Sequence, residues 1–297
     1  MEFLFTLING LSLGGIYAMI ALGYTMVYGI AKMLNFAHGD IIMVGGYSVL
    51  VFCTMNIAPT APTVSLIIAV LLAVLICAIL GYGIEKVAYK PLRGASPLAV
   101  LITAIGVSSF LQSLAQVIFG AQARFVNFPN FGTLTLGEIS INYSTVITLI
   151  STVIVMVGLT LFVKLTKTGR AMLAVSEDKE AAQLMGVNIN FIISITFVIG
   201  SALAALAGLF SLMNVPFITP SFGSLPGIKA FTAAVIGGIG SIPGAMLGGI
   251  LLGVVECFCN SVPAIAPYTN AIEFAILIVI LIVKPTGILG KKRREKV

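Results

Sequence analysis

The chain has 297 residues, of which 59% are hydrophobic and 9% charged, with a mean hydropathy of +1.14 and no tryptophan. A soluble domain is about half apolar and about a quarter charged, so a water-soluble globule is excluded and the excess apolar surface belongs in a bilayer. The net charge of +6 comes from short basic clusters at the ends of apolar runs, a membrane-orientation pattern that makes nucleic-acid binding a poor reading.

Apolar runs fall at about 6–30, 40–56, 64–84, 98–119, 143–163, 189–213, 229–258 and 268–283. At about 20 residues per span they predict an all-α, polytopic transmembrane helical bundle of about eight membrane segments, read as one permeation domain over 1–297. Only Glu2, and no Lys or Arg, precedes the first run; it lacks a secretory leader's basic start and is expected to be a span. Lys86, Lys90 and Arg93, then Lys164, Lys167 and Arg170, then the basic tail 284–297 (Lys284, Lys291, Lys292, Arg293, Arg294, Lys296) mark the cytoplasmic side. The loops 57–63, 120–142 and 214–228 then face outward, as does the N-terminus, with Lys32 inside.

That parity closes only if 229–258 does not cross as one helix. Gly237, Gly238, Gly240, Pro243 and Gly244 interrupt it; proline removes a helical hydrogen bond and glycines lower the cost of leaving the helix. Two half-helices meeting at Ser241-Ile242-Pro243-Gly244 are expected, a re-entrant element of the kind that lines transport sites. The outer loop 120–142 alternates polar and apolar residues around Asn130 and Gly132, which fits a small hairpin, a lid or a plain connector.

Gly200-x3-Ala204-x3-Gly208 and Gly240-x3-Gly244-x3-Gly248 are expected to bring helix backbones close together. Ser109, Gln112 and Gln116 share a helical face, as do Thr145, Thr148 and Thr152; Tyr17, Tyr24 and Tyr28 form an aromatic one. Polar groups are costly against lipid, so these stripes should face the bundle interior, either bonding between helices or lining a polar pathway. Cys53, Cys77, Cys257 and Cys259 lie in apolar runs without a metal-ligand pattern and are read as packing residues.

The long charged interruption, 164–190, has the residue types of a short helix on the cytoplasmic side. Ser176 can cap it, Glu177, Asp178 and Glu180 suit its positive end, and Gly186 suits a left-handed stop. Ala181, Leu184 and Met185 would leave an apolar patch, and so short a helix needs a partner surface. Its acids argue against lying on anionic headgroups.

Glu180-Ala181-Ala182-x3-Gly186 resembles the docking loop of ATP-binding-cassette importer permeases, although no Leu-Pro follows Ile195. Gly23-Tyr24-Thr25-Met26-Val27-Tyr28-Gly29, then Leu34-Asn35-Phe36-Ala37-His38-Gly39-Asp40 and Gly45-Gly46-Tyr47, is similar to the signature of branched-chain amino acid permeases of the LivH type. The turn Gly237-Gly238-x-Gly240-Ser241-x-x-Gly244 matches a late element of that family. The resemblance runs the full length. It implies an importer subunit in a bacterial cytoplasmic membrane, with a second homologous permease, two ATPase subunits docking on Glu177, Asp178, Glu180, Ala181, Ala182, Leu184, Met185 and Gly186, and an external solute-binding protein.

No Gly-x4-Gly-Lys-[Ser/Thr] occurs, so this chain is not expected to hydrolyse ATP or to hold a cofactor, and its partners beyond those subunits are lipids. Asn35, His38, Asp40, Ser109, Gln112, Gln116, Thr148, Gly238, Gly240 and Glu273 are the pathway candidates. His38 and Asp40 could shuttle a proton, but a hydrogen-bonded turn fixing a re-entrant bend near the inner end of the first span fits better. Glu256 and Glu273 lie in apolar runs, as does Lys229. Mutual pairing is weighed against a carboxylate meeting the ammonium of a substrate, in which case Glu273→Gln impairs transport without harming insertion. Branched-chain amino acids are the expected solutes, against urea or another small amide; a lone channel or ion-coupled carrier leaves the docking-like loop without a purpose.

Overall fold

The computed structural model describes residues 2–55, 61–129, 132–136 and 139–290; Asn130 and the tail from 291 onward lie outside them. Among the described residues, eight helices are long and apolar enough to cross a membrane, in agreement with the eight apolar runs. In chain order the helices are α1 (Glu2–Ala31), α2 (His38–Met55), α3 (Pro62–Ile84), α4 (Pro97–Phe119), α5 (Tyr143–Leu165), α6 (Lys167–Glu177), α7 (Lys179–Leu184), α8 (Ile189–Asn214), α9 (Ser224–Gly237), α10 (Ile242–Ser261) and α11 (Thr269–Val283). A π-helical turn, Glu85–Tyr89, and a 3-10 turn, Lys90–Leu92, extend α3.

Helix α1 is apolar on every side and is buried from Gly14 through Val27, the signature of a helix at a bundle's centre. It packs along α10 at backbone distance. A Cβ on Gly253 would lie 2.1 Å from the Gly14 nitrogen, and one on Gly249 would lie 2.4 Å from Ala18 Cα. Side chains there would force the two helices apart. Helix α8 closes on α2 through Gly208, where a Cβ would meet the Ile42 carbonyl at 2.6 Å. Of the second small-residue run, Gly244 and Gly248 press α10 on α9, whereas Gly240 lies outside the helices with nothing near its Cβ position.

The 229–258 run is broken, but not into equal halves or at the expected residues. Helix α9 has 14 residues and α10 has 20, long enough to span. The turn is 238–241, with Gly238 at φ +106 and Gly240 at φ +94, conformations that side chains disfavour. Ser241 caps α10, its hydroxyl accepting from Gly244 N–H at 3.3 Å. Pro243 therefore sits in the first turn of α10, where its missing N–H costs nothing. Helices α9 and α10 run antiparallel, with Gly237 against Gly244 and Gly248 against Ala233, the reversal of direction that the parity argument requires.

The inner helix ends are tied together. Ile288 N–H donates to the Ile236 carbonyl and Leu289 N–H to that of Gly237, so the segment after α11 seals the end of α9. At the other end of the bundle β1 (Arg124–Phe125) pairs antiparallel with β4 (Phe217–Ile218), and β2 (Thr133–Leu136) with β3 (Ile139–Asn142). The latter is the hairpin that the 120–142 loop suggested.

Candidate functional site

The sharpest polar feature is built by two helices that start inside the membrane. After α1 ends at Ala31, the chain turns through Lys32, at φ +60, and climbs back before α2 begins. The His38 ring meets Tyr24 edge-on at 4.6 Å, and a Cβ on Gly23 would lie 2.4 Å from His38 Nε2. Gly23 in turn faces Gly200, the twelfth residue of α8. His38 thus lies well above the inner end of α1, deeper than the sequence suggested. The re-entrant bend is real, and α2 is its rising arm.

Helix α9 starts at the same depth. Gly223, just before it, approaches Gly39 so closely that a Cβ would be 1.7 Å from the Gly39 carbonyl. The positive ends of α2 and α9 therefore meet within the bundle, and Asp40 lies in the first turn of α2, where they favour its carboxylate. Gln112 of α4 closes the junction. Its Nε2 donates to Asp40 Oδ1 at 2.8 Å and lies 3.3 Å from Ser224 Oγ and 3.4 Å from Ser108 Oγ. An amide has two N–H donors, so these contacts compete and the arrangement can be redistributed at small cost.

Sequence reasoning named Asp40 and Gln112 but missed their partners. Ser108 was legible as the residue four before Gln112 on the same helix. Ser224 was not, because the apolar run was read as starting five residues later. Ser109 and Gln116 are exposed and so do not face the interior of this chain. The buried face of α4 is Val100, Ala104, Leu111 and Ala115, which rotates Gly106, Ser109, Ser113 and Gln116 onto one outward face, with Gln112 on the border. Thr145, Thr148 and Thr152 do face inward. A Cβ on Gly15 would touch the Thr152 side chain at 2.8 Å, and Thr152 Oγ1 donates to the Thr148 carbonyl at 2.6 Å. Gly238 and Gly240 sit at the opposite end of α9 from Asp40, about 20 Å away by helix length.

A second polar cluster is ionic. Lys229 Nζ lies 2.6 Å from Glu256 Oε1 and 3.2 Å from Glu273 Oε2, and Tyr17 OH donates to Glu256 Oε2 at 2.7 Å. It joins α9, α10, α11 and α1. The Glu273 side chain is fully buried. Pairing, the first of the two sequence readings, is thus the arrangement in place; Glu273 reaches no open surface.

The charged segment folds as two helices. Thr166 caps α6, its hydroxyl accepting from Gly169 N–H at 3.0 Å. Asp178, not Ser176, caps α7, accepting from Ala181 N–H at 3.0 Å. Ser176 lies inside α6, so its hydroxyl donates back to the Leu173 carbonyl. Gly186 takes φ +82 and stops the helix as expected. Ala182 is buried, while Leu184 is 88% and Met185 84% exposed. Glu177, Glu180 and Ala181 are exposed as well.

This small helix is bolted to the bundle. Lys179 Nζ donates to the Ala31 carbonyl at 3.0 Å, at the C-terminus of α1. Burial pushes the Lys179 pKa down, and the like charge of Arg93 adds to it. Arg93 pairs with the buried Glu85 and donates to Asn190, while Ser194 donates to Glu85 at 2.7 Å. In the same π-helical turn Tyr89 donates to Asn35 Oδ1 at 2.8 Å, both residues being buried. Asn35 belongs to the bend that carries Asp40, so Lys179 holds the start of that bend at Ala31 and Tyr89 holds its middle. None of Tyr89, Glu85 and Lys179 carried a sequence signal for this role.

Comparison with known proteins adds the family. The model described as "Branched-chain amino acid transport system / permease component" matches residues 6–281. The high-affinity branched-chain amino acid transport system permease protein BraD of Pseudomonas aeruginosa is 45% identical over 304 residues, covering 100% of this chain and 98% of the relative. LivH of Escherichia coli is 43% identical, covering 99% and 98%. A probable LivH from Methanocaldococcus jannaschii is 31% identical, covering 92% and 88%.

Proposed function

The chain belongs to the family of permease components of branched-chain amino acid transport systems, and on that premise we propose that it carries leucine, isoleucine and valine inward across a bacterial cytoplasmic membrane. In this reading it is one of two permease subunits, with ATP hydrolysed by separate subunits and solute delivered by an external binding protein. The observation that carries the coupling is α7: a capped helix of six residues that holds Leu184 and Met185 out to solvent while Lys179 grips the end of α1. An ATPase that moves α7 pulls on Ala31, and the bend from Lys32 to Ala37 passes the movement to Asp40.

The outward polar face of α4 supports a pathway between two permeases. Gly106, Ser109, Ser113 and Gln116 are exposed in this chain, and hydroxyls and amides facing lipid are unfavourable. A second permease would cover them. Gln112 then stands at the edge of the pathway, its amide shared between Asp40 and Ser224, able to exchange a protein partner for a polar group of the solute. The meeting N-termini of α2 and α9 suit a carboxylate nearby.

The test is uptake of labelled leucine and labelled urea at submicromolar concentration in a strain lacking this chain. Selective loss of leucine uptake, restored by the intact chain and not by a 177–186 deletion, is expected. Lost urea uptake with leucine uptake retained would keep the architecture and overturn the substrate.

A further inference from the structure

Helix α11 is the least buried of the described spans, 11% over its apolar window, and Thr269 and Glu273 are its only buried residues. Glu273 lies about 15 Å from Val283 by helix length, deep in the span, and its side chain has no exposure. Three elements set titratable groups around it: α9 brings Lys229, α10 brings Glu256, Cys257 and Cys259, and α1 brings Tyr17. Lys229 is the one cation among the described groups acting on the two acids. With both acids ionised, two negative charges would share one positive charge. The acids are not equivalent. Glu256 has Lys229 Nζ at 2.6 Å, accepts from Tyr17 OH at 2.7 Å and keeps 13% of its side chain exposed. Glu273 has Lys229 at 3.2 Å and, among the described residues, no hydrogen-bond partner for either oxygen.

We propose that Glu256 and Glu273 hold one proton between them at neutral pH, resting on Glu273, so that the cluster carries no net charge. Two carboxyl groups at one site do not both ionise readily, and a buried carboxylate without hydrogen bonds is costly. No water in the bilayer core relieves that cost. The proton belongs to the pair; it rests on Glu273 because Glu256 already has the closer ammonium and the phenol hydroxyl. The result is a pH-sensitive tie. Since α11 buries only Thr269 besides Glu273, ionising both acids loosens α11 and the segment after it that seals the end of α9. Above the ordinary glutamate range, about 4.3, the unfolded chain has released this proton and the folded chain keeps it. Stability contributed by the bound proton is therefore present at low pH and falls as pH rises, until the folded chain releases it too. The tie stands whether or not an ATPase docks on α7.

Infrared spectra of the full chain in nanodiscs at neutral pH test this. The native spectrum minus that of Glu273→Gln should show one carbonyl stretch of a protonated carboxyl. Glu256→Gln leaves one acid for one ammonium, so Glu273 should ionise and the same band should vanish; a band retained there would overturn the sharing. Reversible unfolding in mixed detergent micelles is the second readout, and it carries the test if Glu256→Gln does not fold. Relative to Glu273→Gln, the unfolding constant of the native chain should rise about tenfold per pH unit above the ordinary glutamate range. Cys259→Ser should leave both the band and this slope in place; loss of either would assign the proton to the thiol and overturn the proposal. Absence of the band from the native chain, or parallel pH curves for it and Glu273→Gln, would overturn it as well.

Discussion

The junction around Gln112 and the cluster around Lys229 are both polar, both lie within the membrane and both include a carboxylate. They are built on opposite terms. The Lys229 cluster ties four helices by charge, with a carboxylate on each side of one ammonium. The Gln112 junction is held by one neutral amide reaching from α4, a helix only 22% buried over its apolar window, whereas the corresponding windows of α2 and α8 are 61% and 67% buried. Charges brought together in a low-dielectric interior resist separation; an amide offered more acceptors than it has donors can trade them. The cluster ties α9 to three neighbouring helices by charge, whereas the junction joins it to α2 and α4 through exchangeable hydrogen bonds.

The largest effect should come from Lys229→Met, which strands two carboxylates among apolar helices and should destabilise the fold by about 3–5 kcal/mol. Thermal unfolding in detergent and the amount accumulated in the membrane would read it. Glu273→Gln is the matching control: it leaves one carboxylate for one ammonium, so stability should hold or rise and uptake should persist. Lost uptake with normal insertion would place Glu273 on the pathway and erase the contrast. At the junction, Gln112→Leu deprives the buried Asp40 carboxylate of one of its donors, Ser108 remaining, with an expected cost of about 1–3 kcal/mol. Uptake should fall further than stability explains; an equal fall in both would make Gln112 a packing residue.

Tyr89→Phe removes the bond to Asn35 for about 1 kcal/mol. Transport per ATP hydrolysed by the reconstituted transporter should drop while insertion is normal; an unchanged ratio would break the link drawn from α7 to Asp40. Smallest in stability is Leu184→Asp, an exposed site where changes stay within about 0.5 kcal/mol. It should abolish uptake by losing the partner surface, and unimpaired uptake would remove Leu184 from the docking set.

Much of this was legible beforehand, for local reasons. Gly238 and Gly240 announce a break because few residues accept their backbone angles, and Gly186 stops α7 on the same ground. Lys229, Glu256 and Glu273 stand out because an ion in an apolar run needs a partner. Ser176 against Asp178 shows the limit of local reading: both can cap, and the choice fell to Asp178 once α6 continued through Ser176. The inward direction expected of Ser109 and Gln116 failed because a polar stripe marks a face but not what lies opposite it.

The sequence alone indicated the apolar helices, the broken segment and the short charged helix, since each follows from apolar length, charge placement or backbone freedom within a few residues. Only the tertiary structure decided that α2 and α9 begin at one depth, that Ser224 joins Asp40 and Gln112, and that Lys179 closes on Ala31. Those contacts join residues 72, 112 and 148 positions apart. At such separations the pairing is set by how whole helices pack, which no local pattern records.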